Sequence, residues 1–180
     1  MANIIKDYAS EDIYNLDETG LFYKAQKGKT FVTGSESANK DLCGLKKSKD
    51  RLTVLVGGSM SGDKLPLLVI GKSKKPYCFR HIHSLPTLYR SQSSTWMDSN
   101  LFREYLNKID TRFQLEQRKC IAFIDNCKAH PPLESLKIKN LRVVFFPPNI
   151  TSVCQPMDMG IIANLKSNYK NYLSILLYNC

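Results

Sequence analysis

Residues 120–126 read Cys-Ile-Ala-Phe-Ile-Asp-Asn. Five apolar residues without polar alternation are the pattern of a strand buried on both faces, as at the centre of a sheet covered by helices. The run ends in Asp125-Asn126, so an aspartate stands where the most apolar strand of the chain leaves the core. Upstream, Thr95-Trp-Met-Asp98 matches a capping box, and Leu101, Phe102, Tyr105, Leu106, Ile109 and Phe113 repeat behind it at helical spacing. Downstream, Leu141-Arg-Val-Val-Phe-Phe146 reads as a strand stopped by Pro147-Pro148. Helix, buried strand and second strand in that order predict an α/β arrangement.

The flanking segments extend the same plan. Ile13 to Asp17 reads as a short strand, and Leu21 to Gln26 as a second extended piece after Gly20. Leu52 to Gly58 and Leu65 to Gly71 form the arms of a predicted hairpin around Ser61-Gly-Asp-Lys64, with Pro66 marking a strand end or an edge. Thr87 to Arg90 is one more short strand. Residues 35–50, rich in Ser, Lys and Asp, read as a loop. At the end of the chain, Ser152-Val-Cys-Gln155 resembles a second capping box and Pro156 suits a first helical turn. Behind it Ile161, Ile162, Leu165, Tyr169, Tyr172, Leu173 and Leu176 make a helical stripe. The expected fold is a mixed sheet flanked by helices.

Composition bounds the function. The 180 residues are 43% hydrophobic with 9 Gly and 8 Pro, which excludes a disordered or collagen-like chain. No apolar run approaches the ~18 residues of a membrane span, and the first residues lack the apolar core of a secretory signal. No membrane partner is expected. The net charge of +10 lies wholly after residue 50, because residues 1–50 hold eight groups of each sign. Tight basic clusters sit at Lys46-Lys47-Ser-Lys49-Asp-Arg51 and Lys72-Ser-Lys74-Lys75. They are either solvated loops or a phosphate-contacting surface whose binding would depend steeply on salt. The six cysteines form no Cys-x-x-Cys pair and no zinc-finger spacing, which fits free thiols in a reducing compartment. The usual nucleotide-binding glycine loops and the Gly-x-Ser-x-Gly elbow are absent from the sequence.

Three aspartates occupy unusual settings. Asp17 ends the first strand, Asp125 ends the buried strand, and Asp158 lies in the first turn of the last helix, on the face that carries Ile162, Leu165 and Tyr169. Taken singly, each has an ordinary explanation: a turn cap, a turn residue before Pro131-Pro132, and a complement to the helix dipole. Taken together, carboxylates that meet without a cation repel and raise one another's pKa. A pair of divalent ions ~3.5–4 Å apart is the natural counter-charge, and it supports phosphodiester cleavage. An all-carboxylate set suits Mg²⁺ better than zinc. His130, five residues after Asp125, either contacts this site or is structural. His81 and His83 have no evident third ligand and read as a surface pair.

Four ordered blocks make the chain similar to a known family. These are Asn15-Leu-Asp-Glu-Thr-Gly20, Lys64-Leu-Pro-Leu-Leu-Val-Ile-Gly-Lys-Ser73, Phe123-Ile-Asp-Asn-Cys-Lys-Ala-His130, and Phe146-Pro-Pro-Asn-Ile-Thr-Ser152 followed by Gln155-Pro-Met-Asp-Met-Gly-Ile-Ile162. They resemble the catalytic domain of DDE-superfamily transposases, of the pogo/Tigger/jerky type that also gave rise to centromere-binding proteins. The resemblance implies a ribonuclease-H-like fold over residues 1–180, with blocks spanning about 13–170. It implies that Asp17, Asp125 and Asp158 are the catalytic, metal-binding triad, with Mg²⁺ or Mn²⁺ as cofactor. The spacing of 33 residues between Asp125 and Asp158 suits the family's all-aspartate form. It further implies DNA as partner, contacted by Lys46, Lys47, Lys49, Arg51, Lys72, Lys74, Lys75, Lys128 and His130, a nuclear location, and an allowed homodimer. The implied activity is cleavage of transposon ends and strand transfer; the alternative is a domesticated, catalytically inactive DNA-binding protein. Two positions depart from the pattern. Gly57-Gly-Ser-Met60 replaces the stretch where an Asn is common, and Met159 replaces the usual Gln. The family's N-terminal helix-turn-helix region is expected to be absent, as in a fragment or a decayed copy.

Overall fold

The structure is a computed structural model and describes residues 2–23, 50–127, 129–147 and 155–178. A six-stranded sheet runs through it in the order β4-β3-β2-β1-β5-β6. The strands are β1 (Ile13–Leu21), β2 (Leu52–Ser59), β3 (Leu68–Gly71), β4 (Leu88–Ser91), β5 (Cys120–Ile124) and β6 (Leu141–Phe145). The helices are α1 (Ala2–Ile5), α2 (Ser99–Leu115) and α3 (Ile162–Tyr178). β2 pairs antiparallel with β1 and β3, while β1–β5, β5–β6 and β3–β4 are parallel, so the sheet is mixed as the sequence predicts.

Each face of the sheet has its own apolar layer. Tyr14, Leu16 and Leu55 point toward α2 and pack with Phe102, Tyr105, Leu106, Ile109 and Phe113. Those five are among the six α2 residues the helical spacing picks out and all are buried; the sixth, Leu101, is partly buried against the same core. Removing one such side chain fully from water is worth about 1.5–3 kcal/mol. On the other face Ile13, Ile121, Phe123 and Phe146 pack with Ile4, Ile5 and Tyr8, and Val54 and Val56 meet Met157, Ile162 and Leu165. β5 is buried at every position, which explains its unbroken apolar run.

The structure differs from the sequence reading at several ends. β1 is one nine-residue strand that continues through Gly20, because β2 pairs with it from Tyr14 to Leu21. The α2 cap is Asp98, whose carboxylate accepts the Asn100 and Leu101 backbone N–H groups; Thr95 sits in a left-handed turn at φ 59° and caps nothing. β3 begins only at Leu68, after Pro66. α3 begins at Ile162 rather than at Pro156. Between them lies an irregular turn, Met157–Ile161, in which Gly160 takes φ 122°. That conformation costs glycine little and other residues much. The second capping box starts at Ser152, outside the described residues. On α3 the predicted stripe is only partly covered: Ile162 is buried, while Ile161, Tyr172 and Leu176 are exposed.

One buried acid fastens the far end of α2. Asp110, 3% exposed, accepts the backbone N–H groups of Lys139, Asn140 and Leu141 and so sets the entry to β6. Asp110→Ala orphans those donors. Urea unfolding should show a loss of about 3 kcal/mol, since bonds to a charged acceptor are each worth about 1.5–3 kcal/mol.

Candidate metal centre

The parallel pairing of β1 with β5 runs Ile13↔Ile121, Tyr14↔Ala122 and Asn15↔Phe123. Continued by two residues, the same register sets Asp17 beside Asp125, just past the end of β5. Asp17 lies opposite Val56 and therefore on the α3 side of the sheet. Asp158 arrives on that side from the Met157–Ile161 turn. The glycine break at 160 uncouples it from the helical phase of α3, so it is exposed instead of aligned with the buried stripe.

Asn15 ties the three carriers together, a role that the sequence reading did not assign. Its side-chain amide donates to the Phe123 carbonyl of β5 at 2.9 Å, and its Oδ1 accepts the Met157 N–H at 3.0 Å. A buried amide on β1 therefore holds both the strand that leads to Asp125 and the turn that bears Asp158. The signal available in the sequence was a polar residue at an inward position two before Asp17.

The electrostatics follow from this gathering. Burial pushes the Asp17 carboxyl up to about 7, with the charges of Asp158, Asp125 and Glu18 adding to it. Asp125 is also raised, first by burial and then by Glu18 and Asp158, with His130 acting the other way. Among the described residues, the group whose ligand atoms all lie within 4.8 Å of one another is Glu18, Asp125 and His130, and it includes neither Asp17 nor Asp158. Glu18 was not anticipated as part of the site; it comes from the opposite face of β1 to Asp17.

His130, expected either to contact this site or to be structural, and by the resemblance to meet DNA, lies beside Asp125 and Glu18. Its side chain is 1% exposed and stacks on Phe102, with ring centroids 4.1 Å apart. Nδ1 lies 3.0 Å from the Asp125 carbonyl oxygen and Nε2 lies 3.0 Å from Glu18 Oε1. Both nitrogens thus face acceptors, which a neutral ring satisfies only once and an imidazolium twice. Burial lowers the His130 pKa, but the Glu18 and Asp125 contacts outweigh it and the net shift is upward. In its protonated form His130 offsets part of the acidic cluster.

The donor set fits a hard divalent ion. Asp125 Oδ1 is buried without a hydrogen-bond partner among the described residues, with His130 Nδ1 3.6 Å away as its charge partner when the ring is protonated; a hard cation at this oxygen would further lower the cost of its burial. The carboxylates of Asp17, Asp125 and Asp158 interact through space, and both ring nitrogens of His130 are already engaged, so oxygen atoms are the ligands on offer.

The basic residues are only partly described. Arg51 is half-buried, and Lys72, Lys74 and Lys75 are exposed just beyond β3. Lys46, Lys47, Lys49 and Lys128 lie outside the described residues. His81 and His83 are both exposed, as a surface pair should be.

Residues 49–179 match the family described as DDE superfamily endonuclease. The chain belongs to that family. Its type is pogo/Tigger/jerky, as the sequence blocks indicate. It is 37% identical over 171 residues to Tigger transposable element-derived protein 4 of Mus musculus, covering 94% of this chain and 32% of that protein. It is 32% identical to Jerky protein homolog of Homo sapiens, covering 91% and 30%. It is 31% identical to CENP-B homolog protein 2 of Schizosaccharomyces pombe, covering 94% and 34%. The chain thus spans about a third of the length of these relatives. Among solved structures, the Mos1 transposase paired-end complex with left transposon end superposes with a TM-score of 0.57 at 15% identity, covering 92% of this chain and 44% of that one. The Mos1 mariner paired end complex with Mn gives 0.58 at 14% identity, covering 93% and 45%. The fold is ribonuclease-H-like.

The pH dependence of stability is fixed in sign by Asp17. Its proton is held more tightly in the folded state, so its contribution to stability is lost as pH rises from its ordinary value of 3.8 to about 7. Melting temperatures measured in chelator across that range should fall for the wild type relative to Asp17→Asn, leaving the variant the more stable above pH 7. Parallel curves would show that Asp17 is not raised.

Proposed function

We propose that this domain performs divalent-metal-dependent phosphoryl transfer on DNA, with Asp17, Asp125 and Asp158 as metal ligands and Mg²⁺ or Mn²⁺ as the ion. The observation that carries the reading is the charge coupling among three carboxylates from separate chain segments, Asp17, Asp125 and Asp158, together with an Asp125 oxygen that is buried with no hydrogen-bond partner among the described residues. When bound, such ions activate water and stabilise the leaving oxygen of a phosphodiester. The chain supplies the rest. Asp17, Asp125 and Asp158 would hold the ion, Asn15 fixes the three backbone carriers, and a protonated His130 would offset the charge of Glu18. The basic residues beyond position 50 offer contacts to phosphates, which implies a nuclear location for a DNA-processing domain.

A second reading keeps the DNA contact and drops the chemistry. It is favoured by relatives named ARS-binding protein 1 and Major centromere autoantigen B, at 31% and 28% identity, and by the exposed Met159 beside Asp158. Titration calorimetry and a nicking assay separate the two. Under the first reading Asp125→Asn abolishes both Mn²⁺ binding and Mn²⁺-dependent nicking. Asn15→Ala weakens Mn²⁺ binding about tenfold with every carboxylate in place, since a supporting residue typically costs ~10–100-fold. Equal Mn²⁺ affinity in wild type and Asp125→Asn sinks the metal site. Steeply salt-dependent DNA binding without nicking selects the second reading.

A further inference from the structure

Away from the acidic residues, a second site takes shape where β1 ends and β2 begins. A cleft of about 380 Å³ opens there, lined by Tyr23, Arg51, Lys72, Ser94 and Trp96 among others. Trp96 is 59% exposed, unusual for the largest apolar side chain. The Arg51 guanidinium lies 3.6 Å from the centre of its ring and covers one face. The exposure that remains leaves ring surface facing the cleft. Lys72 adds a second positive charge, and Asp50 a negative one, so the lining nets positive.

The turn that presents Trp96 is held firmly. Thr95 sits at φ 59°, a conformation that a β-branched residue adopts only under constraint. Its carbonyl accepts the Thr53 hydroxyl at 2.6 Å, and its N–H donates to the Gln92 carbonyl at 2.9 Å. Thr53 in turn accepts from Arg51 Nη2 at 3.3 Å. One chain of bonds therefore fixes both the arginine and the strand-to-helix turn that carries the tryptophan. Gly20, which faces Thr53 across β1 and β2, lies three residues beyond Asp17. That is about 10 Å along the strand at ~3.3 Å per residue.

A fixed, exposed indole beside two cations matches the chemistry of an unpaired nucleotide. In a duplex the base faces are covered by their neighbours; only an unstacked base offers a π-face, and aromatic side chains in positive grooves accept such bases without regard to sequence. Duplex DNA needs the cations alone. We propose that the Arg51–Trp96 cleft binds one unpaired nucleotide of the DNA substrate, its base stacked on Trp96 and its phosphate paired with Arg51 and Lys72. The proposal rests on DNA being the substrate and gives that substrate a single-stranded feature, bound where β1 runs three residues past Asp17.

Trp96 is the only tryptophan in the chain, so its fluorescence reports on the cleft directly. The probe is a short oligothymidylate, compared with a blunt duplex of equal length, each followed by fluorescence and by anisotropy of a labelled strand. The expected result is quenching by the single strand and little by the duplex. Trp96→Ala should weaken oligothymidylate binding about tenfold while duplex binding and Mn²⁺ binding stay unchanged; Trp96→Phe should retain most of the affinity. Lys72→Ala should lower the salt slope by about one for the single strand. Saturating oligothymidylate without quenching, or equal affinity in wild type and Trp96→Ala, overturns the proposal. Loss of nicking and Mn²⁺ binding in Asp125→Asn tests the acidic site separately, so the failure of either leaves the other legible.

Discussion

Parallel pairing of β1 with β5 is the constraint on which the rest of this domain depends. Continued two residues past its last pair, Asn15 with Phe123, it sets Asp17, inside β1, level with Asp125, just past the end of β5. Like charges so placed repel, and the sheet must be stiff enough to hold them together. It is: β5 is buried at all five positions, and β1 is paired along its length by β2. Asn15 then closes the arrangement by bonding to β5 on one side and to the Asp158 turn on the other. The raised carboxyl of Asp17 reflects its burial first and this repulsion second.

The alternation of β1 divides labour between the two faces. Tyr14 and Leu16 go to the α2 core, while Asn15 and Asp17 go to the side of α3. Glu18 returns to the α2 side, where His130 receives it. A strand of period two thus supplies core, scaffold and charge from consecutive residues. The imidazole is itself clamped by Phe102 from α2 and Phe145 from β6, so the apolar core orients a polar group. Stability and site are coupled here: α2 packs the sheet and also walls in the His130–Glu18 pair.

Much of this was legible in the sequence. The unbroken run of β5, the helical spacing on α2 and the strand before Pro147-Pro148 were read in place, because burial on both faces and an amphipathic period leave direct marks on residue type. The boundaries were less legible. Thr95 has the look of a cap, but Asp98 does the capping, since the turn before it is pinned by Thr53 from another strand. Gly20 looked like a break and proved to lie within a strand, because pairing with β2 outweighs its weak propensity. The phase of Asp158 on α3 was misread because Gly160 interrupts the helix between them.

The sequence by itself determined the mixed α/β plan, the family, and the three aspartates as residues out of place in their local settings. These follow from local pattern and motif order, which one chain carries in full. Only the tertiary structure decided that Asn15 brackets the carriers, that Glu18 and His130 join the acids, and that Arg51 lies on Trp96. Each is a contact between residues far apart in the chain, 108 positions for Asn15 with Phe123 and 112 for His130 with Glu18. Such contacts are set by strand register and by which face a side chain takes, and neither leaves a trace in the identity of the residue alone.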